Sequence, residues 1–103
     1  MMARPRTELQ TLLESILGSK NVYFQPPENL GLKYPCIVYE RSGSKNEHAD
    51  NIKYIKHRRY TITYIDQNPV SSIVDELEDL PYCTAEKSFI SDNRNHFPFT
   101  IYF

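Results

Sequence analysis

In Tyr60-Thr61-Ile62-Thr63-Tyr64-Ile65-Asp66, β-branched and aromatic residues fill every position but the last. Such residues pack well on a pleated, half-buried surface, so the run predicts a strand. Working outward, the strand is expected to span 52–66. That is long for a single strand, so a bulge or kink is expected near 56–59. Upstream, Cys36-Ile37-Val38-Tyr39 is almost continuously apolar. It predicts a central strand over 36–41, covered on both faces, with Pro35 tolerated at its entrance. The polar stretch 42–51 between the two strands reads as a long hairpin loop.

Toward the N-terminus, Leu9, Leu12, Leu13, Ile16 and Leu17 recur at three- and four-residue spacing and predict an amphipathic helix. Pro5 suits its first position, Thr7 with Gln10 matches a capping box, and Gly18 suits a left-handed cap. Residues 21–25 read as a short strand halted by Pro26 and Pro27, which withhold ladder donors. Downstream, Asn68 and Pro69 are expected to open a second helix as N-cap and first residue. Its apolar stripe is Ile73, Val74, Leu77 and Leu80, and Pro81 stops it. Two last strands, 85–91 and 97–103, are joined by turn chemistry at Asp92-Asn93-Arg94-Asn95. Pro98 suggests that the last strand lies at an edge or enters the sheet irregularly. The order predicts a single α+β domain over 1–103: a small, mostly antiparallel sheet of about four strands with two helices on one face.

Composition narrows the function classes. At 103 residues the chain has room for one core. Hydrophobic residues make up 40% and aromatics 13%, which sets it apart from disordered chains. No apolar run is long enough to cross a membrane, and the N-terminal segment lacks the apolar core of a signal peptide. Two cysteines, Cys36 and Cys83, are too few for a disulfide scaffold and are expected to be reduced thiols. The net charge of −1 hides an uneven distribution. Between residues 41 and 59 stand Arg41, Lys45, Lys53, Lys56, Arg58 and Arg59 against Glu47 and Asp50, a net of +4. Between 66 and 92, seven acids, among them Asp75, Glu76, Glu78 and Asp79, face Lys87 alone, a net of −6. These ten named cations and helix acids are the candidate interface residues.

Chemistry-bearing motifs are scarce. Three glycines, Gly18, Gly31 and Gly43, form no phosphate loop, and no paired Cys or His spacing points to a metal. The acids of the second helix fall on its solvent face, unlike acid–base catalysts held in a dry cleft. A nuclease assembled from Glu40, Asp66 and Lys87 is an open alternative, as is a Cys–His pair, although Cys36 in an apolar strand reads as an inert thiol. The interleaved cations and aromatics of 53–60 carry a weak nucleic-acid signal. No catalytic residue, cofactor or metal is expected, and the chain is not expected to be an enzyme.

Four segments together carry a family likeness: 18–27 (Gly-Ser-Lys-Asn-Val-Tyr-Phe-Gln-Pro-Pro), 34–39 (Tyr-Pro-Cys-Ile-Val-Tyr), 60–69 (Tyr-Thr-Ile-Thr-Tyr-Ile-Asp-Gln-Asn-Pro) and 92–97 (Asp-Asn-Arg-Asn-His-Phe). Through them the chain resembles the small tail completion, or tail terminator, proteins of long-tailed bacteriophages. The resemblance implies a virion protein of a phage or prophage, made in the bacterial cytoplasm. It implies a ring of six copies at the head-proximal end of the tail tube, ending tail growth and forming the joint to the head. The partners so implied are other copies of the chain, the tail tube protein and a neck or head-completion protein, with non-specific contact to DNA in the lumen and no membrane. A different head–tail neck ring is the nearest alternative. A peptide-binding module with a groove beside the Pro98 strand, or a small hydrolase, lies further off.

Overall fold

A computed structural model of the protein describes residues 5–28, 30–42 and 58–103. Among the described residues, two helices lie on a six-stranded mixed sheet, an α+β architecture. The elements are α1 (Arg6–Leu17), β1 (Val22–Phe24), β2 (Cys36–Arg41), β3 (Arg59–Asp66), α2 (Ser72–Glu78), β4 (Cys83–Ala85), β5 (Phe89–Ser91) and β6 (Arg94–Tyr102). Strand order is β1-β2-β3-β6-β4, with β5 also paired to β6.

The sheet departs from the expected four antiparallel strands in two places. First, β1 joins it, running parallel to β2 with Val22 opposite Ile37 and Phe24 opposite Tyr39. Second, the expected strand 85–91 is two short ones, with Ala85 opposite Phe99 and Phe89 opposite His96. Pro98 accounts for the break. Its carbonyl accepts from Glu86 N, so the place of its missing N–H faces the same side. No donor is available there to hold the edge strand in register. Pro98 therefore lies in an interior strand, opposite Thr63 of β3, and not at an edge. A groove beside an exposed Pro98 strand has no place in this sheet.

Alternation along the strands sorts the two faces. Ile37 and Tyr39 of β2, Tyr60, Ile62 and Tyr64 of β3, and Phe99 and Ile101 of β6 are buried toward the helices. Leu9 and Leu13 of α1 and Leu77 of α2 close this core, each fully buried. Burying one leucine contributes roughly 1.5–3 kcal/mol, enough to seat helices as short as these. On the other face Val38, Thr61, Thr63, Pro98 and Thr100 are half-buried and Glu40 is exposed, so β2 is covered fully on one face only. Cys36 and Ile65 are the buried exceptions on that face, opposite one another in the register. Nearby, the Arg94 guanidinium stacks 3.9 Å over the Tyr34 ring.

The ends of the elements follow local chemistry. Gly18 takes φ 81°, and its N–H bonds the Glu14 carbonyl at 2.8 Å, the expected left-handed cap. At the other end Pro5 is the N-cap and no side chain caps the helix, so the Thr7–Gln10 box does not form. The α2 helix starts later than Asn68 would place it. Asn68 Oδ1 accepts from Val70 N in a local turn, and Ser71 is the N-cap, accepting from Ile73 N at 3.2 Å. The helix also ends before Pro81, with Asp79 as its C-cap. Between β5 and β6, Asp92 and Asn93 take φ 53° and 61°, the two left-handed positions of a tight hairpin turn.

Candidate functional site

At one end of the sheet three arginines meet around an open cleft of about 670 Å³. Arg6 comes from the first turn of α1, Arg41 from the end of β2, and Arg58 from the residue before β3. The topology forces this convergence. The parallel pairing of β1 with β2 sets Phe24 beside Tyr39, at the same end as Arg41. The antiparallel pairing of β2 with β3 sets Tyr60 opposite Arg41. Phe24 and Tyr60 line the cleft with aromatic surface, and among the described residues no carboxylate lines it.

One of the three guanidiniums is held in place. Arg6 Nη1 donates to the Tyr39 hydroxyl at 2.9 Å, and the Arg6 guanidinium lies 4.5 Å over the Phe24 ring. The Tyr39 hydroxyl donates in turn to Gln10 Oε1 at 2.6 Å. Gln10 Nε2 then reaches the Val22 carbonyl and Glu14 Oε2. Burial pushes the Tyr39 hydroxyl above its ordinary range, and the Arg6 hydrogen bond offsets part of that rise. By contrast, no ion pair holds Arg41 or Arg58 among the described residues.

The acidic candidates stand apart from the cleft. Asp75, Glu76, Glu78 and Asp79 are all exposed. Ile73, Val74 and Leu77 turn the opposite side of α2 into the core. Laterally, α1 packs on β1 and β2 while α2 packs on β6 and β4. The basic cleft and the acidic helix thus occupy opposite halves of the sheet, whose outer strands are four spacings, or roughly 19 Å, apart.

The other candidates are dispersed. Lys45, Lys53 and Lys56 lie outside the described residues, as do residues 43–51 of the expected loop and residues 52–57 of the expected strand, with the first half of its 56–59 kink; the described strand begins at Arg59. Arg59 does not join Arg58: it alternates to the other face, where its Nε donates to Ser42 Oγ at 3.2 Å. Glu40 and Asp66 cannot share a site. Glu40 pairs with Thr61, five residues and roughly 17 Å along β3 from Asp66, and the two lie on opposite faces. Among the described residues no three His, Cys, Asp or Glu side chains gather as a metal site. His96 stacks on Phe89 with ring centroids 4.8 Å apart. Burial raises both thiols to about 11, with Arg94 partly offsetting the rise at Cys36. Thiols so shifted are poor nucleophiles at neutral pH.

Sequence reasoning missed Arg6. It sits 35 residues before Arg41 in a segment read as a helix start, and only the pairing of β1 with β2 brings the two together. Comparison with known protein families, curated protein sequences and solved structures returns no match.

Proposed function

We propose that the chain is a structural part of a phage or prophage virion. It forms a homo-oligomeric ring at the head-proximal end of the tail tube, ends tail growth and makes the joint to the head. The resemblance of its strand and turn segments to tail completion proteins suggests this role. The observation that carries it is the placement of an arginine cleft and an exposed acidic helix on opposite halves of one sheet. A closed ring joins different patches of neighbouring subunits, so each copy must carry two complementary surfaces facing different ways. A binding module for an unrelated ligand needs only one. In this reading the arginines and carboxylates are contact groups and the protein catalyses nothing.

The test is the solution mass by light scattering, with negative-stain images of the protein alone and with purified tail tubes. Rings, free or seated on one end of the tubes, are the expected result. A chain that stays monomeric and ignores the tubes overturns the proposal.

A further inference from the structure

We infer that the Arg6–Arg41–Arg58 cleft receives the acidic outer ridge of α2 from a second copy of this chain. The inference deepens the ring reading and rests on it for closure of the assembly, but the contact itself is argued from charge placement.

Among the described residues, no ion pair compensates the charge on either surface. In α2, Glu78 and Asp79 sit at the C-terminal end, where the helix dipole is already negative, and no basic residue lies in that last turn. Asp75 and Asp79 are four residues apart on the exposed side, so like charges are stacked about 6 Å from one another. Arg6 is the mirror case, a cation in the first turn of α1, where the dipole is positive and favours acids such as Glu8. Each arrangement lowers the stability of an isolated subunit. Each is relieved when the other is brought against it.

Shape and anchoring agree. The α2 helix is about 10 Å long and offers its carboxylates from a seven-residue ridge with no cation on it. The cleft is open, and one of its guanidiniums is already ordered by Tyr39 and Phe24. A preordered guanidinium loses less side-chain freedom on binding a carboxylate, and its planar fork suits that partner. Cleft and ridge lie on different halves of the sheet, so a contact that two copies do not reciprocate runs head to tail and leaves a free cleft and a free ridge at the ends of any open chain.

Neutralising one surface at a time provides the test. In R41Q/R58Q the cleft is disabled and the ridge kept; in D75N/E78Q/D79N the reverse holds. All five side chains sit at the surface, and circular dichroism checks that both variants fold. The unmodified chain is expected to associate at low salt, and to dissociate near about 0.5 M NaCl, where the Debye length falls to roughly 4 Å. Each variant alone is expected to be monomeric. Mixed one to one, they are expected to form heterodimers and nothing larger, because a single competent contact remains. An unmodified chain that stays monomeric at low salt overturns the inference, as do variants that assemble like the unmodified chain or fail to pair when mixed. So does a cleft that binds short single-stranded DNA through Arg41 and Arg58 while no self-association occurs. Tail tubes play no part in these measurements. Heterodimers together with rings that ignore tube ends therefore sink the tail reading and keep this contact, while tube capping by both variants does the opposite.

Discussion

The Tyr39 hydroxyl donates to Gln10 Oε1 at 2.6 Å and accepts from Arg6 Nη1 at 2.9 Å, so one buried oxygen ties the second sheet strand to two turns of α1. The ring around it packs on Phe24 and Tyr60, at centroid distances of 5.0 and 6.0 Å. Tyr39→Phe keeps that packing and deletes the oxygen. It should cost about 1–2 kcal/mol, since Gln10 loses a donor in a part-buried setting. Urea denaturation would show this as a lower midpoint with an unchanged slope. The same variant frees Arg6 and should weaken self-association of the chain. An unaltered midpoint would mean that the network contributes nothing to stability.

A second buried hydroxyl sets where α2 begins. Tyr64 donates to Asp66 Oδ2 at 2.6 Å and lies 3.2 Å from Ser71 Oγ, which also accepts from Ile73 N. Ser71→Ala removes the N-cap and one neighbour of the Tyr64 hydroxyl, and should cost about 1 kcal/mol. Asn68→Ala touches only a surface turn and should stay within about 0.5 kcal/mol of the unmodified protein. The reverse ranking in thermal or urea melts would return the helix start to Asn68.

That pair also shows how far the sequence could be read. Asn68 and Ser71 are both good caps, three residues apart, and local chemistry alone does not choose between them. The choice is made by Tyr64, seven residues before Ser71, whose hydroxyl reaches the serine across the strand end. By contrast, β2 was legible to the residue, because an apolar run with Pro35 in front of it carries its own boundary. The turn before the last strand was legible in place but not in extent: its chemistry was read over Asp92-Asn93-Arg94-Asn95, whereas Arg94 and Asn95 already pair within β6. The parallel pairing of β1 was not legible, since a three-residue strand states its character but not its neighbour. The cleft inherits that limit. Arg41 and Arg58 stood out in a basic stretch, while Arg6 becomes part of the site only through a pairing that no local pattern encodes.

Strand alternation separates two adjacent arginines that look equivalent in sequence. Arg58 lines the cleft, and Arg59 turns to the other face and meets Ser42. Arg58→Glu should therefore abolish self-association in light scattering, and Arg59→Gln should leave it unchanged at equal folding stability. Equal losses from both substitutions would mean that overall charge, and not the cleft, holds the copies together.

The β5–β6 turn holds two non-glycine residues at positive φ. Asparagine tolerates this conformation better than most residues, yet glycine adopts it without a Cβ penalty and is favoured at the second position of such turns. Asn93→Gly should raise stability by a few tenths to about 1 kcal/mol, and Asn93→Val should lower it by at least as much. Melting curves of the two variants would check the sign. A destabilised glycine variant would argue against the left-handed backbone at this turn.

Stability should be flat from neutral pH to about 9 and fall steeply above it. Burial raises Cys36 and Cys83 from 9.0 to about 11. Burial, with the hydrogen bond to Asp66, raises Tyr64 from 10.0 to about 12. Below the unfolded values all three groups are protonated in both states and pH has no leverage. Between the unfolded and folded values the unfolded chain releases protons that the folded chain retains, so each further pH step favours unfolding. The window opens near 9 with the thiols and closes near 12 with Tyr64. Cys36→Ala should flatten the first part of that decline without moving the part above 11, at the expense of a small cavity at neutral pH. Urea midpoints at pH 8, 10 and 11 for both proteins would show the difference as converging curves. Parallel curves would mean that the Cys36 thiol is not shifted by its surroundings and that its apparent burial is open to water.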